Sequence, residues 1–232
     1  MQEKIYTIPI NEAFENRCGC PLCRLSLKLE QDALEYVMGA AMMEPDVRIA
    51  TNRQGFCRDH LSAMLRMKNR LGLSLILQTH LETVRKDGIP KKGLLGAPDC
   101  AKAAEKLSEG VRSCFVCARR EEFLRHYYEN TVYLWEEEED FRLKLRDCGM
   151  LCLPHAEALL RAGAARLPKK KQPEFSGAIL AKVSEGLDAL QPDVDAFCKS
   201  FEYQNAGTPL SDGAKHAAER IADALCGAEE MQ

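Results

Sequence analysis

The chain has 232 residues, of which 46% are hydrophobic and 29% are charged, and its formal net charge at pH 7 is −3. This composition is that of a globular protein, and the slightly acidic balance argues against a general nucleic-acid binder, because such proteins display a basic excess toward phosphates. The sequence contains no long apolar run and no basic-then-apolar start, so we expect a cytoplasmic protein without a membrane span.

The first half of the chain carries a CxxC motif followed by a CxxH motif. Their residues are Cys20, Cys23, Cys57 and His60. After a short helical segment within residues 1–17, apolar periodicity predicts a long helix over 21–43, and Pro21 suits its first turn. A short turn near residues 47–49 leads to a second long helix, predicted to run from the CxxH motif to about residue 85.

The second half repeats this pattern after a stretch rich in Gly, Pro and Lys over 86–98, which we predict to be a linker. Its motif residues are Cys114, Cys117, Cys152 and His155. The two motifs are separated by 33 residues in the first half and 34 in the second, and a glycine precedes the third cysteine in both. We therefore predict a duplicated organisation, with one helical repeat over 1–95 and another over 96–232, which form either separate cores or one shared core.

The remaining segments are also predicted to be helical. A helix over 101–111 precedes the second CxxC motif, and another follows the second CxxH motif to about residue 167. A further helical region begins near residue 175 and is interrupted at Pro192, and a terminal helix covers 214–225, with Ser211 or Asp212 as its cap. Because no segment shows sustained β alternation, we predict an all-α, pseudo-duplicated fold of about eight to ten helices.

Three cysteines and one histidine in each half form a donor set typical of a structural zinc site. Thiolate sulfur and imidazole nitrogen are usual ligands of four-coordinate zinc, and two pincers far apart in sequence let one ion cross-link a fold. We predict that all eight motif residues are ligands and that each half is stapled by one zinc ion, with an iron–sulfur cluster as the alternative. The spacing leaves the pairing open, since one CxxC could meet the CxxH of the other half, but pairing within each half is favoured because a shorter loop costs less closure entropy, by a fraction of a kcal/mol.

Other uses of a CxxC motif fit the sequence less well. A thioredoxin-type redox pair needs a βαβ context, and covalent haem attachment needs a histidine where Arg24 and Ala118 stand. A disulfide framework is unexpected for 11 cysteines without an export signal. The remaining cysteines are expected to be small buried side chains, although Cys18 could replace a ligand because it lies two residues before Cys20. They are Cys18, Cys100, Cys148, Cys198 and Cys226.

All four motifs lie at the predicted N-terminal ends of helices. The free N–H groups and the positive end of the helix dipole favour thiolate over thiol, which offsets the net charge of about −1 that three thiolates and a neutral histidine leave on a divalent ion. Neighbouring arginines are either ordinary solvated side chains or partners of the site. They are Arg24, Arg58, Arg119 and Arg120.

On the segment IPINEAF at residues 8–14, the CPLC pincer and the GFCRDH element, the chain resembles a bacterial family of duplicated helical CxxC and CxxH proteins catalogued as a domain of unknown function. The resemblance covers most of the chain. It implies no activity, substrate or catalytic residue.

These features favour a non-enzymatic protein in which two structural zinc ions staple paired helices and present a surface to a protein partner. The alternative is a redox or metal-responsive protein with iron–sulfur clusters or oxidisable zinc thiolates. A third interpretation is a small ligand between the long helices near Tyr127, Tyr128 and Trp135, although aromatic residues at helical spacing more often form core. No nucleophilic triad or phosphate-binding glycine loop is recognisable, and the sequence indicates neither the identity of a partner nor an oligomeric state.

Overall fold

The computed structural model describes residues 4–90, 98–205 and 209–228, and every regular element in these ranges is helical, which confirms the all-α prediction. The α-helices are α1 (Lys4–Glu15), α2 (Pro21–Met38), α3 (Pro45–Gln54), α4 (Arg58–Arg66), α5 (Arg70–Thr83), α6 (Cys100–Val111), α7 (Phe115–Glu137), α8 (Glu139–Asp147), α9 (Leu153–Arg166), α10 (Gln172–Lys199), α11 (Asp212–Lys215) and α12 (Ala217–Cys226). Short 3₁₀ segments cover Ala40–Met43 and Tyr203–Asn205, and a π-helical turn covers Val84–Gly88. Within these ranges, no helix is both long and apolar enough to cross a membrane.

Two compact units make up the chain. The terminal unit comprises Met1–Leu27 and Leu124–Gln232, and the central unit comprises Lys28–Phe123. The boundaries between them fall inside α2 and α7, whereas the predicted division into 1–95 and 96–232 follows the sequence repeat. Most of the predicted linker, residues 91–97, and the last residues, 229–232, lie outside the described residues.

Aromatic pairs mark the core of the terminal unit. Phe14 of α1 packs against Phe141 of α8, and Trp135 of α7 packs against Phe175 of α10, with ring centroids 5.0 Å apart in both pairs. All four side chains are almost completely buried, and Tyr127 is buried as well. Tyr127 and Trp135 of α7 therefore belong to the core, whereas Tyr128 is half-buried.

The core of the central unit includes the first turn of α7. Its buried side chains come from α2, α3, α4, α5 and α7 and include Ala33, Val37, Met38, Val47, Met64, Leu73, Ile76, Phe115 and Val116. Val116 lies inside the second CxxC motif and is 0% exposed. The second pincer is consequently anchored in the same core as the helices around the first CxxH motif.

The predicted continuous helix from the first CxxH motif to residue 85 is wrong, because α4 ends at Arg66 and α5 begins at Arg70. Asn69 explains the break. Its Oδ1 accepts a hydrogen bond from the Gly72 N–H at 2.9 Å, and its Nδ2 donates to the Met38 carbonyl at 2.9 Å. An asparagine that satisfies backbone groups in this way caps a new helix instead of continuing the old one. The short turn predicted near residues 47–49 is the helix α3 of 10 residues.

The predicted interruption at Pro192 does not occur, because α10 continues through it. Proline in a helix interior removes one hydrogen bond at a cost of about 3 kcal/mol. The next residue, Asp193, accepts hydrogen bonds from Arg220 of α12 and from Ser211 at the start of α11, and these contacts help to offset that cost. The Ser211 hydroxyl also accepts from the Ala214 N–H at 3.1 Å and caps the short helix α11, whereas the terminal helix predicted over 214–225 is α12, which begins only at Ala217.

Candidate metal centres

The four motifs meet in two clusters of cysteine and histidine side chains that could act as metal ligands. The first cluster consists of Cys20, Cys23, Cys152 and His155, and the second cluster consists of Cys57, His60, Cys114 and Cys117. Within each cluster the ligand atoms all lie within 4.8 Å of one another, so either cluster could hold a metal ion. The first cluster lies in the terminal unit and the second in the central unit. All eight predicted ligands are thus in such groups, and ligation itself stays a prediction.

The prediction that each CxxC pairs with the CxxH of its own half is wrong. In both clusters the CxxC of one half meets the CxxH of the other half. Along the chain the two pairings are nested: the segments of the second cluster lie between those of the first.

Packing explains why the exchanged pairing prevails. The longer loops cost roughly 1 kcal/mol more closure entropy than local pairing, since this cost grows only with the logarithm of loop length. The burial of residues inside the CxxC motifs acts in the opposite direction to this entropy cost. Leu22 and Val116 are 0% exposed, and Phe115 is 8% exposed. Full burial of one such side chain contributes about 1.5–3 kcal/mol, which is more than the extra closure entropy of the exchanged pairing.

The first cluster is compact and buried. The Nδ1 atom of His155 lies 3.7 Å from the Sγ of Cys20, 3.3 Å from that of Cys23 and 3.1 Å from that of Cys152. The Sγ atoms of Cys23 and Cys152 are 3.6 Å apart. None of the four residues is more than 9% exposed.

The second cluster has nearly the same dimensions. The Nδ1 atom of His60 lies 3.0 Å from the Sγ of Cys57, 3.3 Å from that of Cys114 and 3.4 Å from that of Cys117. The Sγ atoms of Cys57 and Cys117 are 3.9 Å apart. A tetrahedral zinc ion separates two sulfur ligands by about 3.8 Å and sulfur from nitrogen by about 3.6 Å. Both clusters therefore fit around one ion of this size, with Nδ1 as the histidine ligand.

Helix N-terminal ends converge on both clusters, as predicted. Cys57 and Cys152 are the N-cap residues of α4 and α9, and Cys20 and Cys114 immediately precede α2 and α7. Backbone N–H groups of Cys23 and Cys152 donate to the Cys20 sulfur, and those of Cys57 and Cys117 donate to the Cys114 sulfur. Free N–H groups at a helix start thus stabilise a thiolate in each cluster.

Protons are unevenly distributed over the metal-free second cluster. Burial raises the pKa of the Cys114 thiol. The hydrogen bonds with His60 and with backbone N–H groups lower it by more, so that the pKa falls to about 6. The hydrogen bonds with Cys114 and Glu30 raise the pKa of His60 to about 10. Burial and the neighbouring Cys114 thiolate raise the pKa of Cys117 to about 12. At neutral pH the cluster therefore holds a thiolate beside an imidazolium, and a divalent ion must displace protons to bind.

The first cluster shows the same asymmetry between its thiols. Burial raises the pKa of Cys20, but hydrogen bonds from Cys152 and Cys23 outweigh burial and hold it well below its usual value. Hydrogen bonds with Cys20 and Cys23 raise the pKa of Cys152. One thiol of each cluster is therefore ready to bind a cation, while another keeps its proton until the cation arrives.

Close backbone approach explains the glycine before the third cysteine of each half. The Met150 N–H donates to the Gly19 carbonyl at 3.2 Å, and a Cβ at Gly149 would lie 2.5 Å from the Arg17 carbonyl oxygen. In the second cluster, the Phe115 N–H donates to the carbonyl of Gly55 at 2.9 Å, and Gly55 has a φ of 61°. Only glycine adopts that φ readily, so both glycines let the exchanged segments meet.

Two charged residues beside the second cluster were missed by the sequence analysis in this role. The Nε2 atom of His60 lies 3.2 Å from an Oε1 atom of Glu30, and the other carboxylate oxygen of Glu30 accepts a hydrogen bond from Arg120. Arg120 is one of the four arginines whose role the sequence leaves open, and nothing in the sequence singles out Glu30. No spacing rule links Glu30 of α2 to His60 of α4, so only the packing of these helices could reveal the contact.

The first cluster has a different surrounding. Glu30 lies seven residues after Cys23, and the matched position in the second half, seven residues after Cys117, is the buried Leu124. The second half therefore has an apolar side chain where the first half has a carboxylate. The Ala228 N–H instead donates to the Cys23 sulfur at 3.3 Å.

The other cysteines are mostly exposed, so their prediction as buried side chains is wrong except for Cys148. Cys18 is exposed and does not belong to the first cluster, although it is close in sequence to Cys20. Of the other arginines, Arg119 stacks over the Tyr36 ring at 4.4 Å, and Arg58 is exposed.

A family model described as a family of unknown function (DUF6062) matches residues 1–232. No curated protein and no solved structure matches the chain significantly.

Proposed function

The chain belongs to the family of unknown function DUF6062, and we propose that it is a zinc-binding helical protein in which two structural ions hold the exchanged motifs together. The observation that carries the proposal is the pair of Cys₃His clusters, whose donor atoms lie within 4.8 Å of one another. Each set offers three thiolates and one imidazole at distances that suit a single tetrahedral zinc ion.

The closed donor set supports a structural role over a catalytic one. Catalytic zinc keeps one coordination position open for water or substrate, whereas four protein ligands fill the tetrahedron. The pairing also joins segments distant in sequence, since Cys23 and Cys152 belong to opposite halves of the chain. A metal ion that bridges segments so far apart in the sequence adds its binding free energy to the stability of the folded chain.

We further propose that the stapled helices serve as an interaction module for a protein partner in the cytoplasm. Large apolar side chains are exposed on the surface, among them Val111 at 81%, Phe201 at 78% and Tyr203 at 96%. A net charge of −3 makes nucleic acid the less fitting partner. A reducing compartment suits free thiols and thiolate ligands.

Elemental analysis with a visible spectrum tests the metal. The protein is purified without oxygen and without added metal, and its metals and acid-labile sulfide are quantified. Two zinc ions per chain and no visible colour are the expected result. A chain that folds and carries no metal at all would rule the proposal out.

A redox or metal-responsive role is the second candidate, and it rests on the exposure of the second cluster. Cys57 and Cys117 are only half-buried, so an oxidant can reach their sulfur atoms. Peroxide would convert a thiolate to a sulfenic acid and release the ion. Full, reversible zinc release at low peroxide concentration, followed with a chromophoric chelator, would favour this role. Iron with sulfide and visible absorbance would instead indicate clusters.

A further inference from the structure

Three side chains form a connected chain of polar contacts beside the second cluster. His60 faces the cluster through Nδ1, which lies 3.0–3.4 Å from three sulfur atoms. Its other ring nitrogen, Nε2, lies 3.2 Å from Glu30, and Glu30 accepts a hydrogen bond from Arg120. The contacts thus run from the donor atoms through the imidazole to a carboxylate and a guanidinium.

We propose that Glu30, held by Arg120, is a positioning residue for the metal in the second cluster. The inference rests on the proposed binding of zinc. A carboxylate that accepts the Nε2–H of His60 keeps the ring in the tautomer whose Nδ1 is free to bind a cation, and it fixes the direction of the ring. It also makes Nδ1 more basic, which strengthens its bond to the ion.

Burial makes the contact effective. His60 is 4% exposed, and the side chain of Glu30 is 29% exposed. Arg120 keeps the carboxylate charged and aimed at the ring, because a charge-assisted hydrogen bond to one oxygen leaves the other for His60.

The second half does not repeat this arrangement. Leu124 occupies the position that corresponds to Glu30, and Ser26 the position that corresponds to Arg120. Within the part of the chain that the structure describes, a carboxylate contact of this kind is recorded for His60, and the other cluster serves as an internal control in the same molecule. A substitution of Glu30 should weaken one ion of the pair and leave the other unchanged.

The test measures zinc affinity in the full chain by competition with a chromophoric chelator, for the natural sequence and for Glu30→Gln, Glu30→Ala and Arg120→Gln. Glu30→Ala is expected to weaken one zinc ion by about 10–100-fold, the usual effect of losing such a partner. Glu30→Gln keeps an acceptor oxygen and should restore part of the affinity. Glu35→Gln is the matched control, because Glu35 is an exposed residue of the same helix whose carboxylate accepts from Gln31.

A second readout separates positioning from a general loss of stability. In zinc-loaded protein with ¹⁵N-labelled histidine, the Nε2–H of His60 should give a slowly exchanging signal that is lost in Glu30→Ala and retained in Glu35→Gln. His155 should keep its signals in every variant.

The outcomes distinguish the inference from the proposal on which it rests. If the natural chain binds no zinc, the proposed function fails first. If the natural chain binds two ions and Glu30→Ala and Glu30→Gln bind both as tightly, the positioning role is wrong. Equal weakening of both ions, or the same loss in Glu35→Gln, would also overturn it, because each would show an unspecific effect on the fold.

Discussion

The two clusters contain the same donors and nearly the same distances, but their surroundings differ. The first cluster is buried throughout, and a cavity of about 380 Å³ with Cys20 and Cys23 in its wall lies beside it. The second cluster has two half-buried cysteines, and a carboxylate and a guanidinium support its histidine. The first cluster is therefore shielded from solvent by burial, whereas the second is more exposed and has polar contacts that hold its histidine in place.

The comparison shows which features the two candidate metal sites share and which differ between them. The required part is the meeting of two helix N-terminal ends with three sulfur atoms and one Nδ1, which both clusters share. The variable part is the residue seven positions after the second cysteine of each CxxC motif, which is Glu30 in one half and Leu124 in the other. The following experiments compare the clusters on this basis.

Loss of a buried ligand should have the largest effect. Cys152 is 0% exposed, so Cys152→Ala is expected to remove one of the two ions and to lower the free energy of unfolding by at least about 4 kcal/mol, because it removes a metal as well as a side chain. Metal analysis and urea unfolding measure both quantities. Cys148→Ala is the control, since Cys148 is buried outside the clusters, and it should keep both ions. Retention of two ions in Cys152→Ala would disprove its role as a ligand.

The residues inside the CxxC motifs should come next. Leu22 is 0% exposed, so Leu22→Ala is expected to lower the free energy of unfolding by about 2–5 kcal/mol. Leu153→Ala, in the second CxxH segment, should cost much less because Leu153 is 41% exposed. A similar cost for both variants in chemical unfolding would argue against packing as the cause of the exchanged pairing.

The zinc affinity of the second cluster should depend steeply on pH. With pKa values of about 10 and about 12, His60 and Cys117 are protonated at pH 7 in the metal-free protein, whereas Cys114, with a pKa of about 6, is already a thiolate. Zinc must displace at least the protons of His60 and Cys117, so its affinity should fall by roughly 100-fold for each pH unit below neutrality. Chelator competition at several pH values tests this expectation. A slope of less than tenfold per pH unit would contradict the proton distribution described above.

The smallest expected difference concerns oxidation. Because Cys57 and Cys117 are half-buried, low concentrations of peroxide should modify the second cluster several-fold faster than the first. Differential alkylation and mass spectrometry follow each cysteine, with the exposed Cys100 as a reference thiol outside the clusters. Faster loss of the buried Cys152 thiol than of Cys57 would reverse the comparison.

The donors could be predicted from the sequence because residue type and spacing carry that information directly. A histidine three residues after a cysteine, found twice at matched positions, singles out His60 and His155 without any knowledge of the fold. The helix starts were equally accessible, because Pro21 and the apolar periodicity mark them.

The pairing and the supporting residues could not be predicted in the same way. Closure entropy distinguishes the two pairings by only about 1 kcal/mol, and the decisive term is the burial of side chains such as Phe115 and Val116 in a core built from several helices. Glu30 is one of 35 acidic residues, and its selection depends on the packing of α2 against α4. Such information arises only from the assembled fold.

The nested order of the segments also determines when each cluster can be completed during synthesis. A ribosome releases Cys57, His60, Cys114 and Cys117 before Cys152 and His155. The second cluster can therefore be completed on the growing chain, whereas Cys20 and Cys23, although made first, meet their partners only after residues 152–155 have been made. Under the proposed zinc binding, the ion of the second cluster would accordingly be bound before that of the first.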